Sequence, residues 1–135
     1  MVRDLDFASL CEHHLVPFTG KVSIAYLPSG KVLGLSKFAR ITSIFARRLQ
    51  VQEQLGLDIA GALESVLAPR GLVVHIVSTH MCMSMRGVEQ RDSCTVTTAF
   101  RGAFKEVCPP LLFDYNLGLL EFVIVFVCCH VLLSV

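Results

Sequence analysis

Residues 1–28 read MVRDLDFASLCEHHLVPFTGKVSIAYLP, and the reading of this stretch decides the fold. Its second half, KVSIAYLP, alternates Val22 and Ile24 against smaller groups and runs into the turn residues Pro28, Ser29 and Gly30. The first half interrupts an extended run with Cys11, Glu12, His13 and His14, four groups able to bind protons or metal. The stretch therefore reads as strand, site, strand. Four such groups beside the apolar Leu15, Val16, Pro17 and Phe18 are costly near a core unless they form one end of a site.

Outward from the hairpin the period changes. In GLSKFARITSIFARRLQVQEQ, Ser36 is a candidate N-cap, and Phe38, Ile41, Ile44, Phe45 and Leu49 recur at helical spacing. Lys37, Arg40, Arg47 and Arg48 occupy the opposite face. A second helix is predicted over Gln52 to Leu67, with Leu55, Ile59, Leu63 and Val66 inward and Pro69 and Gly71 ending it. Leu72 to Ser78 reads as a buried strand, and Ser93 to Phe100 as another with Thr-rich alternation. The order strand–strand–helix–helix–strand–strand predicts an α+β fold with antiparallel pairing.

Length and composition bound what such a fold can be. The 135 residues suit one ordinary domain with a single core. Twelve Lys and Arg against eleven Asp and Glu argue against a nucleic-acid partner and against acidic disorder. A mean hydropathy of +0.63 is high for a soluble monomer, so either subunits bury apolar surface against each other or a segment meets a membrane. The start carries charges early and lacks a long apolar run, so no secretory signal is expected. A cytoplasmic location is expected, where the six cysteines would serve metal binding or burial rather than disulfides.

The composition shifts most sharply at Cys108-Pro109-Pro110, which divides residues 1–107 from a hydrophobic tail, 108–135. The tail is not expected to span a membrane. Phe122 to Val135 is fourteen residues, against about twenty for a spanning helix. Asp114, Asn116 and Glu121 are costly in hydrocarbon, and no Lys or Arg follows Lys105. His130 and the pair Cys128-Cys129 receive no role.

Cys11-x-x-His14 has the spacing of two zinc ligands approaching one ion from a tight turn. The third candidate is Cys82 in STHMCMSMRG; if that stretch is extended, His80 and Cys82 point to the same side. Two thiolates and one imidazole leave a fourth position open for water, the arrangement of a catalytic zinc. His13 and His80 are then left over as proton carriers near neutral pH. Burial is the competing account for either cysteine alone, because Cys is among the most buried residue types. Two histidines and a cysteine within four residues, answered by a second His-x-Cys, favour the metal. His75, inside the apolar LVVHIV, reads as a hydrogen-bonded structural histidine. Lys37 and Arg40 at a helix start, with Arg86 four residues beyond Cys82, suit an anion, whereas Arg47 and Arg48 read as a solvated face. Gln52 and Glu53 pair an amide with a carboxylate, suited to the donor edge of a purine.

CEHHLVPFTGKVSIAYLPSGKVLGLSKFARITSIFARRLQVQEQL, with THMCMSMRGVEQRDSCTVTT and GAF, strongly resembles the GTP cyclohydrolase I family over roughly Val2 to Lys105. The resemblance implies the tunnelling fold, an antiparallel sheet with two helices packed on one face. It implies zinc-dependent conversion of GTP to 7,8-dihydroneopterin triphosphate and formate, the entry to tetrahydrofolate or tetrahydrobiopterin synthesis. It implies a homo-oligomer, a toroidal decamer with active sites between subunits. Residue by residue, it makes Cys11, His14 and Cys82 the zinc ligands and His13 and His80 the acid–base groups. It places Gln52 and Glu53 at guanine, Ser36 beside the ribose, and Lys37, Arg40 and Arg86 at the triphosphate.

The ends depart from the family, which carries a helical region before the CEHH strand and a polar helix after the GAF stretch. That departure supports a second reading, an impaired truncated isoform acting as an interaction or regulatory subunit of full-length cyclohydrolase. A third, another tunnelling-fold enzyme of pterin or deazapurine metabolism, fits worst, because Gln52-Glu53, CEHH and HMCM occur together.

Overall fold

The structure, a computed structural model, describes residues 1–107. The expected tail and its boundary, with Cys128, Cys129 and His130, lie outside the described residues. Strands β1 (Val2–Cys11) and β2 (Pro17–Leu27) form the hairpin expected of the opening stretch. Helix α1 (Leu35–Ala46), the two-residue strand β3 (Leu49–Gln50) and helix α2 (Gln52–Leu67) follow. Strand β4 (Gly71–His80), the short helix α3 (Met81–Ser84), strand β5 (Thr95–Gly102) and the short helix α4 (Ala103–Val107) complete the described chain.

The five strands make one sheet in the order β3-β1-β2-β4-β5. Every pair is antiparallel except β1 with β3, which sequence reasoning did not anticipate. The pleat sorts β4 into two faces. Leu72, Val74 and Ile76 are fully buried on one, and α2 lays Leu55, Ile59 and Leu63, fully buried at helical spacing, into the same core. Phe38 of α1 and Phe18, Val22 and Ile24 of β2 join them, so both long helices cover one face. Burying each of those leucines and isoleucines stabilises the fold by about 2 kcal/mol. Among the described residues, the other face is covered at one end, where Phe104 of α4 packs on Ala25 and Val73.

Several local expectations change. The first helix stops at Ala46 rather than running through Leu49, because Leu49 and Gln50 pair in parallel with Leu10 and Cys11. Leu49 and Ile44, expected inward, are exposed, as is Val66. Gly34, not Ser36, takes the N-cap position, with no side-chain cap; Lys37 N donates to Gly34 O at 2.9 Å instead. Strand β4 runs on to His80 and then turns into α3, so Cys82 lies on a helical turn, not on an extended continuation. His75 fits its structural reading: its Nδ1 lies 2.9 Å from Thr98 Oγ1, and burial lowers its pKa.

Candidate metal centre and active site

The metal candidates come from two chain reversals placed side by side by strand register. Cys11 closes β1, and residues 12–16 form the loop to β2. Cys11 N donates to Val16 O at 3.0 Å and Leu15 N to Cys11 O at 2.8 Å, and Leu15 adopts a φ of +55° to make the turn. Strand β3 pins the loop from the other side, with Glu12 N donating to Gln50 O at 3.1 Å. The Gln50 amide is itself held, its Nε2 donating to Ser9 Oγ and Phe45 O, both at 2.8 Å. Across the sheet, Phe18 of β2 pairs with His80, the last residue of β4. The turn of α3 begins at once, and it returns Cys82 to the CEHH loop.

The ligating atoms of Cys11, His14 and Cys82 all lie within 4.8 Å of one another. Cys11 Sγ and His14 Nδ1 are 3.6 Å apart. Two ligands at tetrahedral angles on one ion, with ordinary metal–sulfur and metal–nitrogen bonds, are separated by about 3.6 Å. Cys11 is buried, Cys82 half-buried and His14 exposed, so the group is open on one side. The donors fit a metal ion. Arg86 Nη1 donates to the Cys82 carbonyl at 3.0 Å, which ties the third ligand's backbone to a cation expected at the triphosphate.

His80 sits immediately behind this group. Its ring stacks on Phe18, centroids 4.7 Å apart and planes 4° from parallel. Its Nε2 lies 2.9 Å from Gln52 Oε1. Burial lowers the His80 pKa, and the Glu53 carboxylate opposes that shift through its charge. Gln52 is almost wholly buried, its amide bonded within the chain on both sides. His13 points away, with its Nε2 3.7 Å from Glu12 Oε1 and its side chain 65% exposed. Ser36, Lys37 and Arg40 are exposed on the first turns of α1, and no hydrogen bond or ion pair ties their side chains to the metal group among the described residues.

Within one chain, then, the structure gathers Cys11, His14, Cys82, His80, Gln52, Glu53 and Arg86, and leaves His13, Ser36, Lys37 and Arg40 at the surface. Sequence reasoning missed Ser78, Thr97 and Phe18. Ser78 had a signal: it follows Leu72, Val74 and Ile76 at alternate positions, so a hydroxyl falls on an inward face and needs a partner.

The GTP cyclohydrolase I family profile matches residues 1–108. A Nostoc sp. protein named GTP cyclohydrolase 1 2 is 56% identical over 106 residues, covering 78% of this chain and 49% of that protein. GTP cyclohydrolase 1 of Campylobacter concisus is 55% identical over 104 residues, covering 77% and 55%. The chain thus spans about half the length of the curated relatives it matches. Among solved structures, the archaeosine synthase QueF-Like in the apo form aligns with a TM-score of 0.63 at 20% identity, over 75% of this chain and 92% of that one. That likeness is one of fold, and it bears out the α+β tunnelling architecture with two helices on one sheet face. With the profile covering all the described residues and relatives above half identity, the chain belongs to the GTP cyclohydrolase I family.

Proposed function

We propose that this protein takes part in zinc-dependent hydrolysis of GTP to 7,8-dihydroneopterin triphosphate and formate, the first step towards tetrahydrofolate or tetrahydrobiopterin. The observation that carries the reading is the Cys11–His14–Cys82 group with His80 ordered beside it. Two thiolates and an imidazole suit zinc among the common metals. Bound zinc would be held by Cys11, His14 and Cys82 and would supply a Lewis acid there. The chain's own residues then bind and move protons. His80, stacked and hydrogen-bonded, is oriented to exchange a proton with the purine. His13, exposed on the loop, is the second acid–base group.

Glu53 accepts from the ring N–H and exocyclic amine of guanine, a pair of donors that adenine lacks. Ser36 lies against the ribose, and Lys37, Arg40 and Arg86 hold the triphosphate. The surface position of His13 and of the α1 cations suits a site completed between subunits of a homo-oligomer. The exposed Met81, Met83, Met85 and Val88 beside Arg86 are apolar surface such an assembly would cover. The described cysteines Cys11, Cys82 and Cys94 are not in disulfides, and the location proposed is cytoplasmic. Among the described residues no helix is long and apolar enough to cross a membrane.

The test is incubation of the purified chain with GTP and zinc, reading formate and a fluorescent pterin after oxidation. The reading requires both products from GTP and neither from ATP. His80→Ala should retain zinc and lose formate release by roughly a hundredfold or more, and Glu53→Gln should weaken GTP binding at unchanged zinc content. Absence of formate from the zinc-loaded chain, or equal turnover of ATP, rejects the reading.

A further inference from the structure

Gln52 was expected at the purine, yet the structure leaves it nothing with which to read one. Its Nε2 donates to Thr95 O at 3.0 Å, Thr97 Oγ1 at 3.1 Å and Ile76 O at 3.2 Å. Its Oε1 accepts from Ser78 Oγ and faces His80 Nε2. An amide offers two N–H donors and two lone pairs, so every site is taken.

The orientation of this amide is also unambiguous. Two of the three groups around Nε2 are backbone carbonyls, which can only accept. Turning the amide over would set Oε1 against both, with no proton between them, inside a buried network where unpaired polar atoms cost most. So Oε1 faces His80, and a carbonyl oxygen can only accept. The nitrogen it faces, Nε2, must carry a proton. Among the described residues Nδ1 makes no hydrogen bond.

We propose that Gln52 is a positioning residue that holds His80 in the Nε2-protonated tautomer, so that the ring presents Nδ1 as its unprotonated nitrogen. Phe18 stacked on the ring fixes its plane, and Gln52 fixes its rotation and proton. The assignment rests on the acid–base reading of His80 given above, but it makes Gln52 act through His80 and leaves guanine recognition to Glu53.

Long-range 1H–15N correlation on the zinc-loaded, 15N-histidine-labelled full chain above neutral pH reads the tautomer directly, with the signal assigned by its loss in His80→Gln. The expected result is His80 protonated at Nε2; protonation at Nδ1 overturns the proposal. In Gln52→Met the single tautomer should give way to a mixture, with kcat falling roughly tenfold or more, the scale for partners that orient working histidines, while KM for GTP stays constant. A raised KM at unchanged kcat would mean that Gln52 touches substrate, and it too overturns the proposal. If Gln52→Met does not fold, the tautomer of the unsubstituted chain decides. A chain without cyclohydrolase activity rejects the functional reading, while the tautomer result stands or falls separately.

Discussion

His13 and His14 are neighbours in the chain and both exposed, yet only His14 joins the metal group. The turn at Leu15 sends His14 to within 3.6 Å of Cys11 Sγ and leaves His13 in solvent. Leu15 makes that turn with φ at +55°, a conformation costing an L-residue about 1 kcal/mol, and its N–H is spent on Cys11 O. Proline at this position would remove the donor and force φ to the opposite sign. Leu15→Pro should therefore lose metal although it alters no ligand, and Cys82→Ala should lose it by removing one. Elemental analysis after gel filtration checks both. Full metal content in Cys82→Ala would mean that the ligand set is wrong.

At the scale of elements, the site depends on the β2–β4 pair, because Phe18 opposite His80 sets where the CEHH loop meets α3. Gly20 lies two positions along, opposite Ser78. A Cβ there would collide with Val77 O and stand 2.6 Å from Ser78 Cα, both backbone atoms of the paired strand. Neither can move without opening the ladder. Gly20→Ala should destabilise the domain by about 3 kcal/mol or more and weaken metal binding with it. Chemical denaturation alongside a zinc titration measures both effects. A stable variant with normal metal affinity would show that the two strands do not have to pack this closely.

Across the whole molecule, metal and pH both act on stability, and because the ligands bind deprotonated the pH effect is isolated only with metal absent. The ligands join the β1–β2 loop to α3, so an ion that binds only the folded arrangement stabilises it by mass action. At a thousandfold excess over Kd the gain is about 4 kcal/mol, and a chelator should lower Tm correspondingly in a thermal scan. An unchanged Tm would exclude this coupling. His75 lies on the sheet face opposite α1 and α2, and its lowered pKa works in a defined direction. Between that lowered value and the ordinary 6.5, the unfolded chain binds more protons than the folded one. Stability from His75 is thus complete above 6.5 and is lost as pH falls towards its folded pKa. His75→Gln should flatten that part of the stability–pH curve, measured with metal absent. An unaltered slope would assign the dependence to another group.

The sequence by itself determined the hairpin, both long helices and the ligand candidates, because each is written in local pattern. Alternation in KVSIAYLP, the spacing of Leu55, Ile59 and Leu63, and Cys11-x-x-His14 are all readable within one or two turns of chain. Family membership was legible for a related reason, since long motifs stand contiguous in CEHHLVPF and THMCMSMRG. Tertiary structure decided the rest. Strand β3 exists because Leu49 and Gln50 find Leu10 and Cys11, a parallel pairing across some forty residues that overrides helical periodicity. Cys82 reaches the other ligands by a helical turn, not by extension. The role of Gln52 was hidden most completely. Its five partners come from β4 and β5, distant in sequence, and only their convergence turns an amide suited to a purine into one committed to His80. Hydrogen-bond satisfaction is a property of the assembled core, and no local stretch of sequence contains it.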